Sequence, residues 1–323
     1  MAKYGDPGDL AVPDGNSLLI SERLREGVCA VIVTHECGTS VEKTFRSIVE
    51  QVDRVLLVDN GSGQGTLRIL DSLISRFPEK AELLRSDENQ GVAAALNRGA
   101  RRAISLGFPW VLTLDHDSIA ESGMVERLLR SWNARHDREI VKIAAPRYVD
   151  VNAHFETRYP VYRGIWPKFL RFKDSATVLE PMEVITSGSL VRTDVFDSVG
   201  FFRDEMFIDY VDIEFCLRIC AAGFKIIVPG DALLYHELGK ATEVRIFGKI
   251  FITLNHSPLR RYYIARNRTF VAREYGKAYP SFLLFSIREM IVDIVRVVLW
   301  EERAFEKCSR MMKGIRDGVS CRM

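Results

Sequence analysis

An Asp-His-Asp triplet occupies residues 115–117, at the end of the apolar run WVLTLD, whose last residue is Asp115. Such a run predicts a buried strand, so the triplet should lie where the strand gives way to a loop. Two carboxylates two residues apart can face one cation there, and Mg²⁺ or Mn²⁺ binds well to one or two carboxylates together with diphosphate oxygens. Asp115 and Asp117 are therefore candidate ligands of a divalent metal.

Two other polar groups also stand at the ends of apolar runs. Residues 34–36, Thr-His-Glu, follow VCAVIV, and residues 59–62, Asp-Asn-Gly-Ser, follow RVLLV. The second group is a turn signal, and a turn would point the Asp59 carboxylate outward, where it can accept the imide N–H of uracil or thymine. Ligands of open α/β sheets bind at the carboxyl ends of the strands. We therefore expect all three groups to share one edge of a sheet.

Three acidic residues, Asp209, Asp212 and Glu214, fall at the start of a predicted helix in the segment FIDYVDIEFCLR. Acidic side chains stabilise a helix N-terminus, which is one explanation for them. A hydroxyl group that acts as a nucleophile also needs a base to take its proton, and a carboxylate at this position can serve. His236 follows a strand-like run; it is either structural or, beside a diphosphate, able to complete a metal shell through its neutral imidazole.

Residues 89–91, Asn-Gln-Gly, precede an alanine-rich helix. Asn89 suits the N-cap region of that helix, and Gly91 permits a close approach of the backbone. Asn97 and Gly99 lie inside the helix, where packing and ligand contact are both possible explanations. Asn89, Gly91 and Asn97 are kept as candidate donor-binding residues.

Strands and helices alternate along most of the chain, which predicts an α/β fold with a mainly parallel sheet covered on both faces. Strands are expected at residues 28–34, 54–60, 81–86, 110–115, 141–146, 183–191 and 225–230, and helices at 40–51, 66–76, 91–106, 123–135 and 215–223. Residues 147–182 are irregular and rich in aromatic and basic side chains, and from Pro258 onward the pattern is helical.

The formal net charge is +2, but residues 240–323 hold 17 Lys and Arg against 8 Asp and Glu. This basic region favours anionic partners such as phospholipid headgroups or diphosphates. Residues 282–299 form an amphipathic pattern that predicts a helix packed on the core, on a partner subunit, or on a membrane surface. With no secretory signal in the first 27 residues and no paired cysteine motif, a cytoplasmic protein with reduced thiols is expected.

The segments VIVTHE, LLVDNGS, NQGVAAALNRGA, VLTLDHDS, FIDYVDIEFCLRICAAGFKI, YHELG and SPLRRYYIARNR follow one another between about residues 28 and 270. As an ordered set they resemble the family 2 glycosyltransferases of the GT-A fold, in particular a rhamnosyltransferase-like branch. The resemblance implies a leader over residues 1–27, a GT-A catalytic domain over 28–257, and a basic, amphipathic helical region over 258–323. The sequence departs from the family pattern in two places. The first strand ends in Thr34-His35-Glu36 where the family usually has Thr-Tyr-Asn, and His116 stands where this branch often has Gln.

The resemblance also implies roles for single residues. Asp212 would be the general base, and Glu214 would support the site near the acceptor. His236 would join Asp115 and Asp117 around Mg²⁺ or Mn²⁺, and Arg260 or Arg261 would neutralise the leaving diphosphate. The donor would contact Thr34, His35, Glu36, Asp59, Asn89, Gly91, Asn97, Asp115, His116 and Ser187.

The implied reaction is metal-dependent transfer of a sugar, with inversion, from a nucleotide-sugar donor to a hydroxyl of a saccharide or lipid-linked glycan. L-rhamnose from dTDP-rhamnose is the expected donor sugar, and a UDP-hexose or UDP-galactofuranose is the alternative. A nucleotidyltransferase and a non-catalytic nucleotide-sugar-binding subunit are alternatives of another class. No nucleic-acid partner is expected. We expect contact with the cytoplasmic face of the membrane through residues 282–299, or oligomerisation through the C-terminal helices.

Overall fold

The computed structural model describes residues 27–150, 158–236, 242–246, 249–253 and 255–320. The predicted leader therefore lies almost wholly outside the described residues. The strands are Val28–Thr34 (β1), Arg54–Asn60 (β2), Ala81–Ser86 (β3), Trp110–Asp115 (β4), Ser118–Ala120 (β5), Val141–Ala144 (β6), Arg147–Asp150 (β7), Tyr159–Val161 (β8), Lys168–Leu170 (β9), Val178–Leu179 (β10), Leu190–Arg192 (β11), Lys225–Pro229 (β12), Leu233–His236 (β13), Thr242–Ile246 (β14) and Lys249–Thr253 (β15).

An eight-stranded sheet in the order β10-β12-β6-β11-β4-β1-β2-β3 forms the centre of the protein. β1 pairs in parallel with β2 and β4, β2 with β3, and β12 with β6. β11 runs antiparallel to both its neighbours, and β10 runs antiparallel to β12. The predicted α/β fold is confirmed, with a mixed sheet that is parallel where its longest strands lie.

Helices cover both faces of this sheet because the side chains of a strand alternate between the faces. Along β1, Cys29, Val31 and Val33 belong to one buried cluster, and Val28, Ala30 and Ile32 belong to the other. The α-helices are Ser40–Ile48 (α1), Gln64–Arg76 (α2), Val92–Ser105 (α3), Met124–Asn133 (α4), Asp194–Val199 (α5), Val211–Ala221 (α6), Pro258–Tyr275 (α7), Pro280–Trp300 (α8) and Ala304–Ser320 (α9).

The strand predicted over residues 183–191 is wrong for most of its length, since only the antiparallel β11 at its end is extended. Gly188 has a φ of +82°, and a Cβ there would lie 2.6 Å from Cγ of Pro146. Its N–H donates to the carbonyl of Thr113 at 2.7 Å. The irregular segment before β11 is therefore bound along the end of β4, beside the Asp-His-Asp triplet.

Three helices, α7 to α9, close the chain, as the helical pattern from Pro258 onward predicts. α9 packs closely on α7, where a Cβ added at Gly314 would lie 2.5 Å from the carbonyl oxygen of Tyr262. Within the described residues, the structure contains no helix that is both long enough and apolar enough to span a membrane.

Candidate active site

The three polar groups meet along one edge of the central sheet. Thr34 at the end of β1 is the register partner of Asp59 on β2. Val33, one residue earlier, is the partner of Asp115 on β4. The groups therefore lie side by side at the carboxyl ends of adjacent parallel strands, the position at which open α/β sheets bind ligands.

Asp59 is fixed in direction by its neighbours. Its Oδ1 accepts a hydrogen bond from the Thr34 hydroxyl at 3.3 Å, and its Oδ2 accepts one from the backbone N–H of Ser62 at 3.1 Å. Only 1% of the residue is exposed. The carboxylate is thus oriented by the fold itself, with Thr34 as its buried support.

The loop after β1 is bound to the turn after β2. Nδ1 of His35 lies 3.0 Å from the carbonyl oxygen of Asn60. The backbone N–H of Glu36 donates to the Ser62 hydroxyl at 3.0 Å, and Oε1 of Glu36 accepts from the N–H of Gly63 at 2.9 Å. Because His35 and Glu36 are exposed, they form the solvent-facing part of this loop pair.

A buried asparagine, Asn60, organises the entry to α3. Its side-chain amide donates to Oδ1 of Asn89 at 2.9 Å and to the carbonyl of Gly91 at 3.0 Å, and its Oδ1 accepts from the N–H of Gln90 at 3.0 Å. Gly91 has a φ of +90°, and a Cβ there would lie 2.6 Å from the backbone of Phe207. Only glycine permits this contact between α3 and the segment that precedes α6.

Asn97, a predicted donor-binding residue, is 1% exposed and lies within α3. Its amide N–H groups donate to the carbonyl of Phe202 at 2.7 Å and to Asp204 Oδ1 at 2.6 Å. Its Oδ1 accepts from the N–H of Phe202 at 2.9 Å. These contacts place Asn97 as an internal link between α3 and residues 202–204.

The Asp-His-Asp triplet is held from both sides. Oγ of Ser187 accepts the backbone N–H of Asp115 at 3.0 Å and donates to Oγ of Ser118 at 2.7 Å. The hydroxyl of Thr44, on α1, donates to the carbonyl of His116 at 2.8 Å. Ser187 was predicted to contact the donor, and in the structure it is buried behind the triplet and fixes its backbone.

The triplet offers donors that fit a divalent metal. Asp115 and Asp117 are half-buried carboxylates, the hard oxygen ligands that Mg²⁺ and Mn²⁺ take together with substrate oxygens. Where side chains are described, no group of three or more His, Cys, Asp or Glu could hold a metal. The side chain of His236 lies outside those residues, but its backbone pairs with Ser118, the residue after Asp117. The backbone of His236 therefore lies beside the strand that directly follows Asp115 and Asp117.

A strained segment precedes α6. Phe207, Asp209 and Tyr210 have φ values of 63°, 62° and 66°, a region that residues with side chains rarely adopt. Each such conformation costs about 1–3 kcal/mol and persists only where the surrounding structure imposes it. The support comes from Asn267 of α7, which is fully buried and whose side-chain amide donates at 2.8–2.9 Å to the carbonyl oxygens of Met206, Ile208 and Asp209.

The strained segment leads into α6, and Asp212 lies half-buried in the first turn of that helix. Burial raises the pKa of this carboxyl to about 6, and the charges of Asp209 and Asp115 act in the same direction. The backbone N–H of Ile213, which donates to Asp212 Oδ1 at 2.9 Å, only partly opposes the rise. Asp212 thus lies within electrostatic reach of the triplet and has the pKa of a base that works near neutral pH.

Glu214, predicted to act near the acceptor, has no exposed surface. Its Oε1 accepts from Arg203 and from the Tyr275 hydroxyl, both at 2.8 Å, and its Oε2 accepts from Arg218 at 2.8 Å. A buried carboxylate with both oxygens occupied cannot meet a substrate without breaking these bonds. In the structure Glu214 joins α6 to α7.

The two candidate arginines at the start of α7 have different surroundings. Arg260 is half-buried and forms a bidentate pair with Asp209, with both N–O distances at 3.0 Å. Arg261 is 5% exposed, donates to Glu301, and lies 3.7 Å from Asp293 of α8. Arg260 therefore binds the strained segment near Asp212, whereas Arg261 lies in the interior of the C-terminal helices.

The model of the family "Glycosyl transferase family 2" matches residues 29–200, which is more than half of the chain. The chain belongs to glycosyl transferase family 2. The matched range contains the whole edge from Thr34 to Ser187. It ends before Asp212, whose placement depends on the later helices.

Curated relatives of this family 2 glycosyltransferase include a dTDP-rhamnosyl transferase of Shigella flexneri, 30% identical over 90% of this chain and 94% of the relative. An N-acetylglucosaminyl-diphospho-decaprenol L-rhamnosyltransferase of Mycobacterium tuberculosis is 27% identical over 64% of this chain and 75% of its own. The resemblance to the rhamnosyltransferase-like branch is thereby confirmed.

Among solved structures, a mannosyltransferase of Pyrobaculum calidifontis in complex with GDP-Man and Mn²⁺ matches with a TM-score of 0.55 and 13% identity, over 96% of this chain and 84% of that one. At this identity the match supports an assignment of the fold alone. The family 2 chain has the expected GT-A fold, extended by the C-terminal helices.

Two residues that the sequence patterns did not single out contribute to this family 2 site. Asn267 sits inside SPLRRYYIARNR, but only the structure shows that it supports the strained segment. Glu183 lies four residues before Ser187, is half-buried, and is close enough to Asp212 for the two charges to interact. The sequence does not point to the contacts of either residue, because their partners are remote in the chain.

Proposed function

We propose that this glycosyltransferase moves L-rhamnose from dTDP-rhamnose, with inversion and with the help of a divalent metal, to a hydroxyl of a saccharide or lipid-linked glycan. The observation that carries the proposal is the position of Asp212 within electrostatic reach of Asp115, in a chain 30% identical to a dTDP-rhamnosyl transferase. A base with a pKa of about 6 is thereby set beside carboxylates suited to a metal–diphosphate complex.

The donor would lie along the edge of the sheet. Asp59, oriented by Thr34, would accept the imide N–H of the base. Asp115 and Asp117, with His236, would hold the metal, which when bound offsets the negative charge of the donor diphosphate. His35 and Glu36 would border the nucleoside from the loop after β1.

Asp212 would take the proton of the acceptor hydroxyl, and the hydroxyl oxygen would attack the anomeric carbon opposite the nucleotide while the bond from that carbon to the diphosphate oxygen breaks and dTDP leaves. One base and no covalent intermediate give inversion at that carbon. Arg260 would contribute positive charge near the leaving diphosphate, since its partner Asp209 lies three residues before Asp212. The buried Arg261 would then stabilise the helices, and Glu214 and Asn97 would position the site without contacting substrate.

A panel of dTDP-rhamnose, UDP-galactose, UDP-galactofuranose and UDP-N-acetylglucosamine tests the donor. We expect nucleoside diphosphate release from dTDP-rhamnose to be at least about tenfold faster than from any UDP-sugar, because a dTDP-rhamnosyl transferase is 30% identical to this chain over 90% of its length. Release measured by a coupled assay, with and without EDTA, gives the rates, and NMR of the product gives the anomeric configuration.

Each other outcome of the panel has a distinct meaning. Preference for a UDP-hexose or UDP-galactofuranose would select the alternative transferase. Tight donor binding with no release would favour the non-catalytic subunit. A product with retained configuration would contradict a single displacement with Asp212 as base.

The outer face of α8 bears on where the enzyme works. Asp293 faces inward, 2.7 Å from Arg268, and Val297 is fully buried. The opposite face is apolar and exposed by 41–58% along a stripe spaced three and four residues apart, at Leu284, Ile287, Ile291, Val295 and Val298. The helix is therefore amphipathic, with Asp293 paired to Arg268 of α7 on its inner side and the apolar stripe on its outer side.

We propose that an anionic bilayer covers this stripe. An amphipathic helix with an exposed apolar face binds in the plane of a membrane interface, helped by basic residues. Residues 240–323 supply them, with 17 Lys and Arg against 8 Asp and Glu. One relative is named for an acceptor linked to a decaprenol diphosphate, an acceptor that resides in a membrane.

Vesicle flotation tests the membrane contact. Replacing Ile287 and Ile291 together by Glu should lower the fraction that floats with phosphatidylethanolamine–phosphatidylglycerol vesicles about fivefold or more, because two exposed apolar side chains that would enter the bilayer become charged. Glu at Ile104 and Leu106, which are exposed by 38% and 39%, is the matched control and should float as the wild type does. A change of oligomeric state in place of lost flotation would show that a second copy covers the stripe.

A further inference from the structure

Glu183 is a carboxyl group next to the proposed base that the reaction as described leaves unused. Its Oε2 accepts a hydrogen bond from the hydroxyl of Tyr162 at 2.7 Å. Tyr162 is 1% exposed and packs edge-on against Phe282 of α8, with ring centroids 5.0 Å apart. Because the tyrosine ring is held in the interior, its hydroxyl fixes the direction of the Glu183 carboxylate.

The segment that carries Glu183 is attached to the helix that carries Asp212. The thiol of Cys216, one turn after Asp212 on α6, donates to the carbonyl of Val184 at 3.6 Å. Val184 and Asp212 also line the same small cavity, together with Thr113 of β4. Glu183 and Asp212 are therefore held in a fixed relation by contacts that do not involve either carboxylate.

The remaining oxygen of Glu183 is open. Among the described residues, Oε1 accepts no hydrogen bond, and the side chain is only half-buried. Burial, together with the charge of Asp212, raises the pKa of Glu183 to about 7, even though the Tyr162 hydroxyl acts in the opposite direction. An oriented carboxyl with a spare oxygen is suited to bind a polar group from outside the chain.

We propose that Glu183 binds the acceptor, its Oε1 accepting a hydrogen bond from the acceptor-sugar hydroxyl adjacent to the one that Asp212 deprotonates. The proposal rests on the assignment of Asp212 as the base. It makes Glu183 a residue that selects the position of attack, since a sugar with neighbouring hydroxyls meets both carboxyls only in one orientation. It also places the acceptor site next to the start of α8, because Tyr162 contacts both.

Steady-state kinetics with dTDP-rhamnose and octyl glycosides of N-acetylglucosamine, rhamnose, glucose and galactose test the proposal. The best octyl glycoside is then compared with its monodeoxy analogues. Glu183→Gln should raise the acceptor KM about tenfold, the scale of a lost hydrogen bond to a charged group. Hydrolysis of dTDP-rhamnose by water, measured without acceptor, should stay within about twofold of wild type, because water needs only Asp212.

Two comparisons separate acceptor binding from a structural role. The wild type should discriminate about tenfold against one monodeoxy analogue, and Glu183→Gln should lose that discrimination at the same position. Tyr162→Phe should change the acceptor KM in the same direction by a smaller factor. Glu180→Gln, three residues away at an exposed pair with Arg135, is the matched control and should behave as the wild type.

Unchanged acceptor KM and unchanged discrimination in Glu183→Gln would overturn the proposal. So would an equal fall in transfer and donor hydrolysis, which would make Glu183 a base or a residue of the fold. Failure of the wild type to release dTDP from dTDP-rhamnose under any condition would contradict the proposed function itself. That result differs from failure of the Glu183 proposal, in which the wild type is active and Glu183→Gln resembles it.

Discussion

Asp212→Asn is expected to lose turnover on the order of 10²-fold or more while it keeps its affinity for dTDP-rhamnose, because a general base supplies about that factor and does not bind the donor. Initial rates with saturating donor and acceptor, together with calorimetric binding of the donor, check both halves. Asp197→Asn replaces an exposed carboxylate and should leave both unchanged. Near-normal turnover in Asp212→Asn would remove Asp212 as the base.

The same variant should be more stable than the wild type at alkaline pH. Asp212 has a pKa of about 6 in the folded chain against an ordinary value of 3.8. The folded state therefore binds more protons between these values, so stability falls as pH rises through this window. Asparagine removes the free-energy cost of keeping a charged carboxylate in this site. The melting temperature of Asp212→Asn should therefore exceed that of wild type by a few degrees at pH 8 and by little at pH 4.

Loss of activity with a gain in stability is the pattern of a residue kept for function at the expense of the fold. A variant that merely damaged the protein would lose both. The pH–rate profile adds a third measurement, since kcat of the wild type should rise with pH along a limb with an apparent pKa near 6 or below, and the residual rate of Asp212→Asn should lack that limb.

Removal of the divalent metal is the second change with a large expected effect. EDTA should abolish transfer, and Mg²⁺ or Mn²⁺ should restore it, since charge stabilisation at a leaving diphosphate is worth several kcal/mol, on the order of 10²-fold or more in rate. Asp117→Asn should produce a comparable loss that added metal does not repair. Full activity in EDTA would contradict metal dependence.

Binding measurements separate the metal site from activity. Mn²⁺ together with dTDP should raise the melting temperature of the wild type, because a ligand that binds only the folded state stabilises it. Asp117→Asn should show a much smaller rise. Asp87→Asn, at an exposed position on a different turn, is the control and should respond as the wild type does.

The edge of the sheet could be predicted because it depends on local patterns. Apolar runs marked β1, β2 and β4, and parallel strands that share one direction bring their carboxyl ends together, as the pairing of Thr34 with Asp59 shows. The helix that carries Asp212 was expected from its own pattern as well. In each case a short stretch of sequence contains the information that fixes the element.

The support around Asp212 could not be predicted because it depends on contacts between distant segments. Asn267 meets carbonyls about sixty residues earlier, and Tyr162 meets Glu183 twenty-one residues later. The inward position of Asp293 also escapes a helical-wheel count, because its partners Arg261 and Arg268 lie on another helix. A count of charges along one helix shows which residues share a face, but not which face is buried.

The bond from Asn267 to the carbonyls of Met206, Ile208 and Asp209 has a consequence for exchanging parts between related enzymes. α7 and the strained segment form one unit, although residues 211–257 separate them in the chain. In a chimera that takes its C-terminal helices from a relative, the residue at position 267 and the strained backbone that it supports come from different parents. Both pieces must therefore come from the same parent if the base is to keep its place.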